Sequence, residues 1–239
     1  MTQGLQLIDL QIRLGHRLLV RVSADVAPGQ VLTVMGPSGS GKSTLLAALT
    51  GTLDPGFQMT GRIVLHGRDI TDLPPQSRRI GLLFQDDLLF PHLTVAGNLA
   101  FALPANVRPQ AARAAQIDAA LTEMDLSAFG PRDPATLSGG QRARVALARC
   151  LLANPLALAL DEPFSRLDAN LRATVRDLVF AHAKTRGLPV VLVTHDPQDA
   201  AAAAGPIISP IISPAISPTI SPVIGPVIGP VIGPLPAQA

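Results

Sequence analysis

The stretch from Gly36 to Thr44 constrains the fold of this chain more than any other, because it fits the pattern G-x-x-x-x-G-K-[ST]. An apolar run from Val31 to Met35 precedes it, and a helix-like run from Leu45 to Leu49 follows it. Glycines let such a loop point successive backbone N–H groups at one anion, and the helix that follows adds its positive end. The order strand, loop, helix therefore predicts a nucleoside-triphosphate site. Its expected residues are Gly36, Pro37, Ser38, Gly39, Ser40, Gly41, Lys42, Ser43 and Thr44.

Two side chains of this loop and two carboxylates further along predict the chemistry of the site. Lys42 is expected to reach the β- and γ-phosphates, and the Ser43 hydroxyl to ligate Mg²⁺. The apolar run Leu156 to Leu160 ends in Asp161 and Glu162. A buried strand that delivers Asp161 to the metal explains the first carboxylate, and Glu162 is placed to hold the attacking water and take its proton. An acidic pair after a strand is otherwise typical of a helix cap or a solvated loop.

Polar residues at three other element ends are candidates for the same site. The segment Ser138 to Gln141 comes just before a helix, where the serine and the glycine N–H groups make a second anion cradle. Gln85 closes a strand, and its amide is a candidate contact for Mg²⁺ or for the attacking water. His195 ends another strand, within reach of a γ-phosphate. Taken singly, these residues also fit an ordinary helix cap, a surface glutamine and a structural histidine.

The spacing of apolar residues predicts an α/β fold with two additions to a P-loop core. Residues 5–26 are expected to form β-strands joined by a turn at Gly15 and His16, and short strands are expected at 62–65, 80–84, 156–160 and 190–193. Helical spacing covers 98–103, 109–121 and 139–152, and 167–186 is the expected crossover helix. We therefore predict an antiparallel β subdomain, a core with parallel strands, and a helical subdomain inserted at about 86–150.

The composition changes abruptly after Asp199, which is the last charged residue of the chain. From Pro206 to Pro234 proline recurs at every fourth position. Proline removes backbone donors, so the repeat is expected to form neither a helix, nor a membrane span, nor a ladder partner for the sheet. The predicted domains are residues 1–204 for the ATPase and 205–239 for a low-complexity, disordered tail.

Charge and cysteine content exclude other classes of protein. The net charge of +2 and the 15% of charged residues leave no polybasic footprint for nucleic acid. The single cysteine, Cys150, excludes a disulfide framework and fits a reducing compartment. It is expected to be a small apolar residue of a buried helix. No basic-then-apolar signal sequence opens the chain.

In their order and spacing, these motifs resemble the nucleotide-binding subunit of ATP-binding-cassette (ABC) transporters over about residues 5–200. The sequence Leu-Ser-Gly-Gly-Gln at 137–141 is the specific part, because other P-loop families lack it. The resemblance implies an ATPase in which Glu162 is the catalytic base, Gln85 the Q-loop residue and His195 the switch histidine. It implies Mg²⁺ ligands at Ser43, Gln85 and Asp161. It further implies a head-to-tail homodimer, in which each ATP is contacted from the second chain by Ser138, Gly139, Gly140, Gln141 and Asp168.

The segments 84–95 and 137–151 are similar to those of importers of small solutes such as thiamine, sulfate, iron or polyamines. This similarity implies integral membrane permease subunits, a periplasmic solute-binding protein, no nucleic acid, and a peripheral position on the cytoplasmic face of the inner membrane. Alternatives are an export or lipoprotein-release ATPase, a soluble ABC protein acting on DNA or ribosomes, and a non-functional product with a scrambled end.

The chain departs from the pattern of the family at three places. Leu14, with His16 nearby, stands where an aromatic residue usually stacks on adenine. Arg166 stands where a small residue is usual in the D-loop, Ser165 to Asp168. The proline repeat stands where a helix and the last strands normally follow the switch histidine, so the last strands of the sheet are expected to be missing.

Overall fold

A computed structural model describes residues 3–210, and most of the predicted tail, residues 211–239, lies outside the described residues. Within residues 3–210 the strands and helices follow one another in the order β1 (Leu5–Leu14), β2 (Arg17–Val26), β3 (Val31–Val34), α1 (Lys42–Thr50), β4 (Phe57–Leu65), β5 (Arg68–Asp69), α2 (Pro75–Arg78), β6 (Ile80–Leu83), α3 (Val95–Ala102), α4 (Gln110–Glu123), α5 (Gly139–Leu152), β7 (Ala157–Asp161), α6 (Ala169–Thr185), β8 (Val190–Val193), α7 (Pro197–Ala203) and β9 (Ile207–Ile208).

The strands form two separate sheets, as the sequence predicts. The first is antiparallel in the order β2-β1-β4-β5, and the second is in the order β6-β7-β8-β3-β9, with every pair parallel. In the second sheet β8 lies between β7 and β3. The ends of the strands that carry Asp161, His195 and the loop from Gly36 to Thr44 therefore come together at one edge.

The parallel sheet separates two hydrophobic clusters. Along β7, Leu158 and Leu160 face the cluster formed with the helical subdomain and α6. Ala157 and Ala159 face the cluster formed with the antiparallel sheet and α1. This alternation is the period of two that a strand imposes on its side chains, and it explains why strands buried on both faces are apolar throughout.

The helical subdomain consists of α3, α4 and α5, so the three predicted helices are confirmed with small shifts of their ends. The side chain of Asn98 is fully buried and fixes the chain that leads into α3. Its Oδ1 accepts from the N–H of Phe90 at 2.8 Å, and its amide donates to the carbonyl of Phe90 at 3.1 Å. No helix among residues 3–210 is long and apolar enough to cross a membrane.

The prediction that the last sheet elements are missing is wrong. After His195 the chain forms α7 and then β9, which pairs in parallel with β3. The N–H of Thr33 donates to the carbonyl of Pro206, and that of Met35 to the carbonyl of Ile208, both at 2.9 Å. Proline lacks a donor but keeps its acceptor, and an edge strand needs to pair on one side only.

The packed part of the chain therefore continues beyond residue 204. A Cβ on Gly205 would lie 1.9 Å from the carbonyl oxygen of Val31, so only glycine allows the two strands to approach this closely. Pro210 is also buried. The start of the repeat belongs to the core, and the predicted tail concerns only the residues that follow.

Candidate nucleotide site

The phosphate loop, Gly36 to Thr44, connects β3 to α1 in the predicted order. Gly39 and Gly41 have φ angles of 77° and 86°, in the region that glycine adopts without strain. The N-cap of α1 is Gly41, and no side chain caps the first N–H groups of this helix. These groups are therefore free to bind an anion.

Lys42, at the start of α1, is folded back over the loop. Its Nζ donates to the carbonyl oxygens of Gly36 at 2.8 Å and Pro37 at 2.9 Å. The residue is largely buried, and the two hydrogen bonds hold its ammonium group over the loop. An anion on the loop would attract the same group.

Asp161 and Ser43 come from different elements and meet beside the loop. Burial raises the pKa of the Asp161 carboxyl, the neighbouring carboxylate of Glu162 raises it further, and the hydrogen bond from Ser43 and the charge of Lys42 oppose this change. Mg²⁺ takes oxygen ligands and is usually held by one or two carboxylates together with substrate phosphates. The carboxylate and the hydroxyl that meet here fit that ion.

Glu162 has a left-handed backbone conformation, with φ at 47°. Such a conformation costs about 1–3 kcal/mol in a non-glycine residue and is found preferentially at functional sites. The N–H of Glu162 donates to the carbonyl of Val193 at 2.9 Å, which fixes the turn against β8. The carboxylate lies 3.0 Å from Nδ1 of His195. The structure thus places the two residues predicted to contact the attacking water and the γ-phosphate side by side.

One cavity of about 660 Å³ contains this group of residues. Its volume falls in the range of small-molecule sites. It is lined by most of the phosphate loop together with Glu162, His195 and three apolar side chains, Leu14, Leu19 and Phe57. Sequence reasoning missed Phe57. An aromatic residue shortly after the loop helix was the available signal, but its position opposite Leu14 depends on the register of β1 and β4.

The signature segment, Leu137 to Gln141, forms the start of α5 and has a capping box. The Ser138 hydroxyl accepts from the N–H of Gln141 at 3.3 Å, and the Gln141 side chain accepts from the N–H of Ser138 at 2.9 Å. In the part of the chain that the structure describes, none of Ser138 to Gln141 lines the cavity of the phosphate loop. One chain therefore does not bring its two predicted anion cradles together.

Gln85 and Asp168 lie outside that cavity too. Gln85 lines a second groove of about 520 Å³ together with Gly139 and Arg166. Asp168 caps α6, and its carboxylate accepts from the N–H of Leu171 at 3.0 Å. The predicted roles of Gln85 as a metal ligand and of Asp168 as a contact from the second chain remain predictions.

The segment after Gln85 contacts both the D-loop and helix α5. Asp86 forms an ion pair with Arg166 of the D-loop. Asp87 lies 3.3 Å from the Nε of Arg142 on α5, and Arg149 of the same helix donates to the carbonyl of Leu88 at 2.8 Å. These contacts connect the D-loop to α5 through this segment.

Comparison with known proteins gives the family that the sequence motifs resemble. The family model described as ABC transporter matches residues 19–165. The uncharacterized ABC transporter ATP-binding protein YnjD of Escherichia coli is 52% identical over 186 residues, which cover 78% of this chain and 85% of that protein. The thiamine import ATP-binding protein ThiQ of Cereibacter sphaeroides is 45% identical over 196 residues, which cover 82% of this chain and 83% of that protein.

Among solved structures, cbiO1 from Clostridium perfringens, part of the ABC transporter complex cbiONQ, is similar with a TM-score of 0.77 and 25% identity. The alignment covers 88% of this chain and 85% of that chain. The fold and the site thus define an ATPase of the ABC class. The chain belongs to the ABC transporter ATP-binding proteins, and the predicted family, fold class and ATPase activity are confirmed.

Proposed function

We propose that this chain is the ATP-hydrolysing subunit of an importer of a small solute, and that two copies of it pair head to tail. The observation that carries this proposal is the separation of the phosphate loop from the signature segment within one chain. In a two-fold dimer each phosphate loop would face the signature segment of the other copy, so both sites form together.

The environment of the glycines at the start of α5 supports this arrangement. A Cβ on Gly140 would lie 2.4 Å from the Leu171 side chain, so packing within the chain favours glycine there unless Leu171 shifts. At Gly139 the nearest atom would be Leu167 Cδ2 at an ordinary 3.7 Å, so packing within the chain does not require glycine. A phosphate that approaches the backbone from a second chain accounts for the second glycine, at the positive end of the helix.

The residues of the cavity have distinct roles in the proposed reaction. Lys42 would exchange the carbonyls of Gly36 and Pro37 for the β- and γ-phosphates. Glu162 would orient the attacking water and take its proton, with the His195 imidazole holding the carboxylate. Ser43 and Asp161 would hold Mg²⁺, which neutralises charge on the phosphates when it is bound. Gln85 lines the neighbouring groove and not this cavity, so its predicted role as a third ligand would require it to move toward the metal.

Coupling to a membrane permease would run through the segment after Gln85. Three large apolar side chains are exposed on this side of the molecule, Phe84, Leu88 and Phe101, the last of them 72% exposed. Exposed apolar groups of this kind are typical of protein contacts. Importers also use a periplasmic solute-binding protein, so we place this chain on the cytoplasmic face of the inner membrane. The import names of similar proteins support this proposal over an exporter or a soluble ABC protein.

Complementation between two inactive variants tests the dimer. Lys42→Ala should not bind nucleotide, and Ser138→Arg should bind ATP without forming a dimer. A mixed dimer has one intact site of two, because the phosphate loop of Ser138→Arg faces the signature segment of Lys42→Ala. The mixture should therefore recover ATPase activity that neither variant has alone, up to about half of the normal rate.

Ser127→Arg is the matched control, because Ser127 is an exposed serine of the same subdomain. It should leave the rate unchanged. A Ser138→Arg variant that hydrolyses ATP alone at the normal rate would contradict the shared site.

A further inference from the structure

The cavity over the phosphate loop continues onto an apolar wall. This wall consists of Leu14, Leu19 and Phe57, at the ends of β1, β2 and β4. Leu14 and Phe57 are register partners across β1 and β4, so their side chains lie on the same face of the sheet. A base attached to phosphates on the loop would therefore meet one aromatic and two aliphatic side chains.

Local structure fixes Phe57 at this position. The N–H of Gly56 donates to the Asp54 carboxylate at 2.8 Å, and the N–H of Phe57 donates to the carbonyl of Asp54 at 3.0 Å. This is the Asx-type turn that places the first residue of a strand. Phe57 is half-buried and packs on the cluster below the antiparallel sheet, so its ring is held and partly open to the cavity.

The wall is also held close to the loop. A Cβ on Gly41 would lie 2.7 Å from the Val20 side chain and 3.2 Å from the carbonyl oxygen of Leu19. β2 therefore touches the residue that caps α1. The phosphate loop and the apolar wall therefore line one cavity side by side.

We propose that Phe57 stacks on the nucleotide base and replaces the aromatic residue that the position of Leu14 lacks. This inference rests on the proposed nucleotide site. Every base has a π-face, and stacking on an aromatic side chain tolerates any base. The three side chains of the wall carry no hydrogen-bonding group, so the wall does not read the edge of the base. We therefore expect ATP and GTP to bind with similar affinity.

The absence of tryptophan and tyrosine from the chain makes a direct measurement possible. In Phe57→Trp the new indole is the only tryptophan, and it remains able to stack. Its fluorescence should be quenched by ATP and by GTP, but not by inorganic tripolyphosphate, which has no base. Phe129→Trp is the matched control, because Phe129 is also half-buried and does not line the cavity. No quenching is expected there.

Affinity gives the second arm of the test. Phe57→Ala should weaken ATP and GTP by about 5- to 150-fold and leave the affinity for tripolyphosphate unchanged. Phe57→Leu keeps the apolar packing and should still weaken both nucleotides. If Phe57→Leu binds ATP normally and the indole at position 57 is not quenched, the inference is wrong.

Lys42→Ala separates that failure from a failure of the site itself. Loss of tripolyphosphate binding in Lys42→Ala, with normal ATP binding in Phe57→Leu, overturns only the role of Phe57. Normal tripolyphosphate binding in Lys42→Ala overturns the phosphate site. Equal weakening of ATP and tripolyphosphate in both Phe57 variants assigns Phe57 a structural role and also overturns the inference.

Discussion

The two helix ends that we assign to phosphate differ in what surrounds them. At α1 no side chain caps the helix, and a buried lysine, two carboxylates and a histidine stand around the open N–H groups. At α5 the capping box already occupies donors of the helix, and no carboxylate or histidine lies in the signature segment itself. We therefore propose that the first end carries the chemistry, while the second would supply a positive surface to another copy.

The largest effect, on the rate of ATP turnover, should come from Glu162, because a general base is expected beside α1 and not beside α5. Glu162→Gln keeps the size and most hydrogen bonds of the side chain but cannot take a proton. We expect ATP binding to persist and turnover to fall by about 10²–10⁴-fold. Light scattering with Mg-ATP should detect an accumulated dimer. A turnover within threefold of normal would remove Glu162 from the reaction.

The attachment of α5 to the core can be measured through Cys150. Burial raises the pKa of this thiol to about 12, and a Cβ on Gly81 of β6 would lie only 2.5 Å from its sulfur. Because the thiolate is the reactive form, alkylation at pH 8 should be at least about 10³-fold slower than for a free cysteine.

The rate should rise about tenfold per pH unit toward pH 11, since the group stays protonated below its raised pKa. Protein unfolded in urea, with the same thiol, is the control and should react at the ordinary rate. Fast alkylation of the native chain at pH 8 would mean that the surroundings of Cys150 between α5 and β6 do not keep the thiol protonated.

The stability of the sheet beside α1, and with it the ATP affinity, should depend on β9, which is distant in sequence. Gly205→Ala places a Cβ against the carbonyl of Val31 and should separate β9 from β3, with the loss of two backbone hydrogen bonds of about 1 kcal/mol each. The free energy of unfolding should fall by about 2–3 kcal/mol, and ATP affinity should fall with it.

Gly130→Ala provides the comparison for that variant, because its Cβ would meet the side chains of Ala96 and Leu121 at ordinary distances of 3.5 and 3.7 Å. Its stability should stay within about 0.5 kcal/mol of normal. Equal stability of the Gly205→Ala and Gly130→Ala variants in urea would show that β9 adds nothing to the core.

The smallest effect, on the free energy of unfolding, should come from a change in the capping box of α5. Gln141→Ala removes one half of the capping box and should lower the free energy of unfolding by about 1 kcal/mol. ATP binding to the isolated chain should not change, because Gln141 is outside the cavity. Weaker ATP binding by monomeric Gln141→Ala would mean that the two cradles communicate within one chain.

The features that could be predicted from sequence are those with a period or a fixed order. The buried strand 190–193 and the helix 139–152 agree with the structure in both bounds, because continuous apolar runs and helical spacing mark them. The order of strand, loop and acidic pair likewise placed Lys42, Asp161 and Glu162 correctly at one edge of the sheet.

The features that were missed depend on register and on partners distant in sequence. The pairing of β9 with β3 uses only the carbonyl of Pro206 and is therefore compatible with proline, yet a rule based on missing donors excludes it. Phe57 enters the cavity because it is opposite Leu14. The ion pair between Arg166 and Asp86 joins two loops whose proximity no local pattern indicates.

The order of the strands in the parallel sheet has a consequence for synthesis of the chain. β3 is made first among these strands, whereas β9, which covers its outer edge, is made last. A nascent chain therefore presents Val31 to Val34 as an open apolar edge while all the other strands emerge. Open edges recruit strands from other molecules, so a chain that terminates before residue 208 should be prone to aggregate. The outer edge of β3 is covered only when Ile207 and Ile208 have been translated.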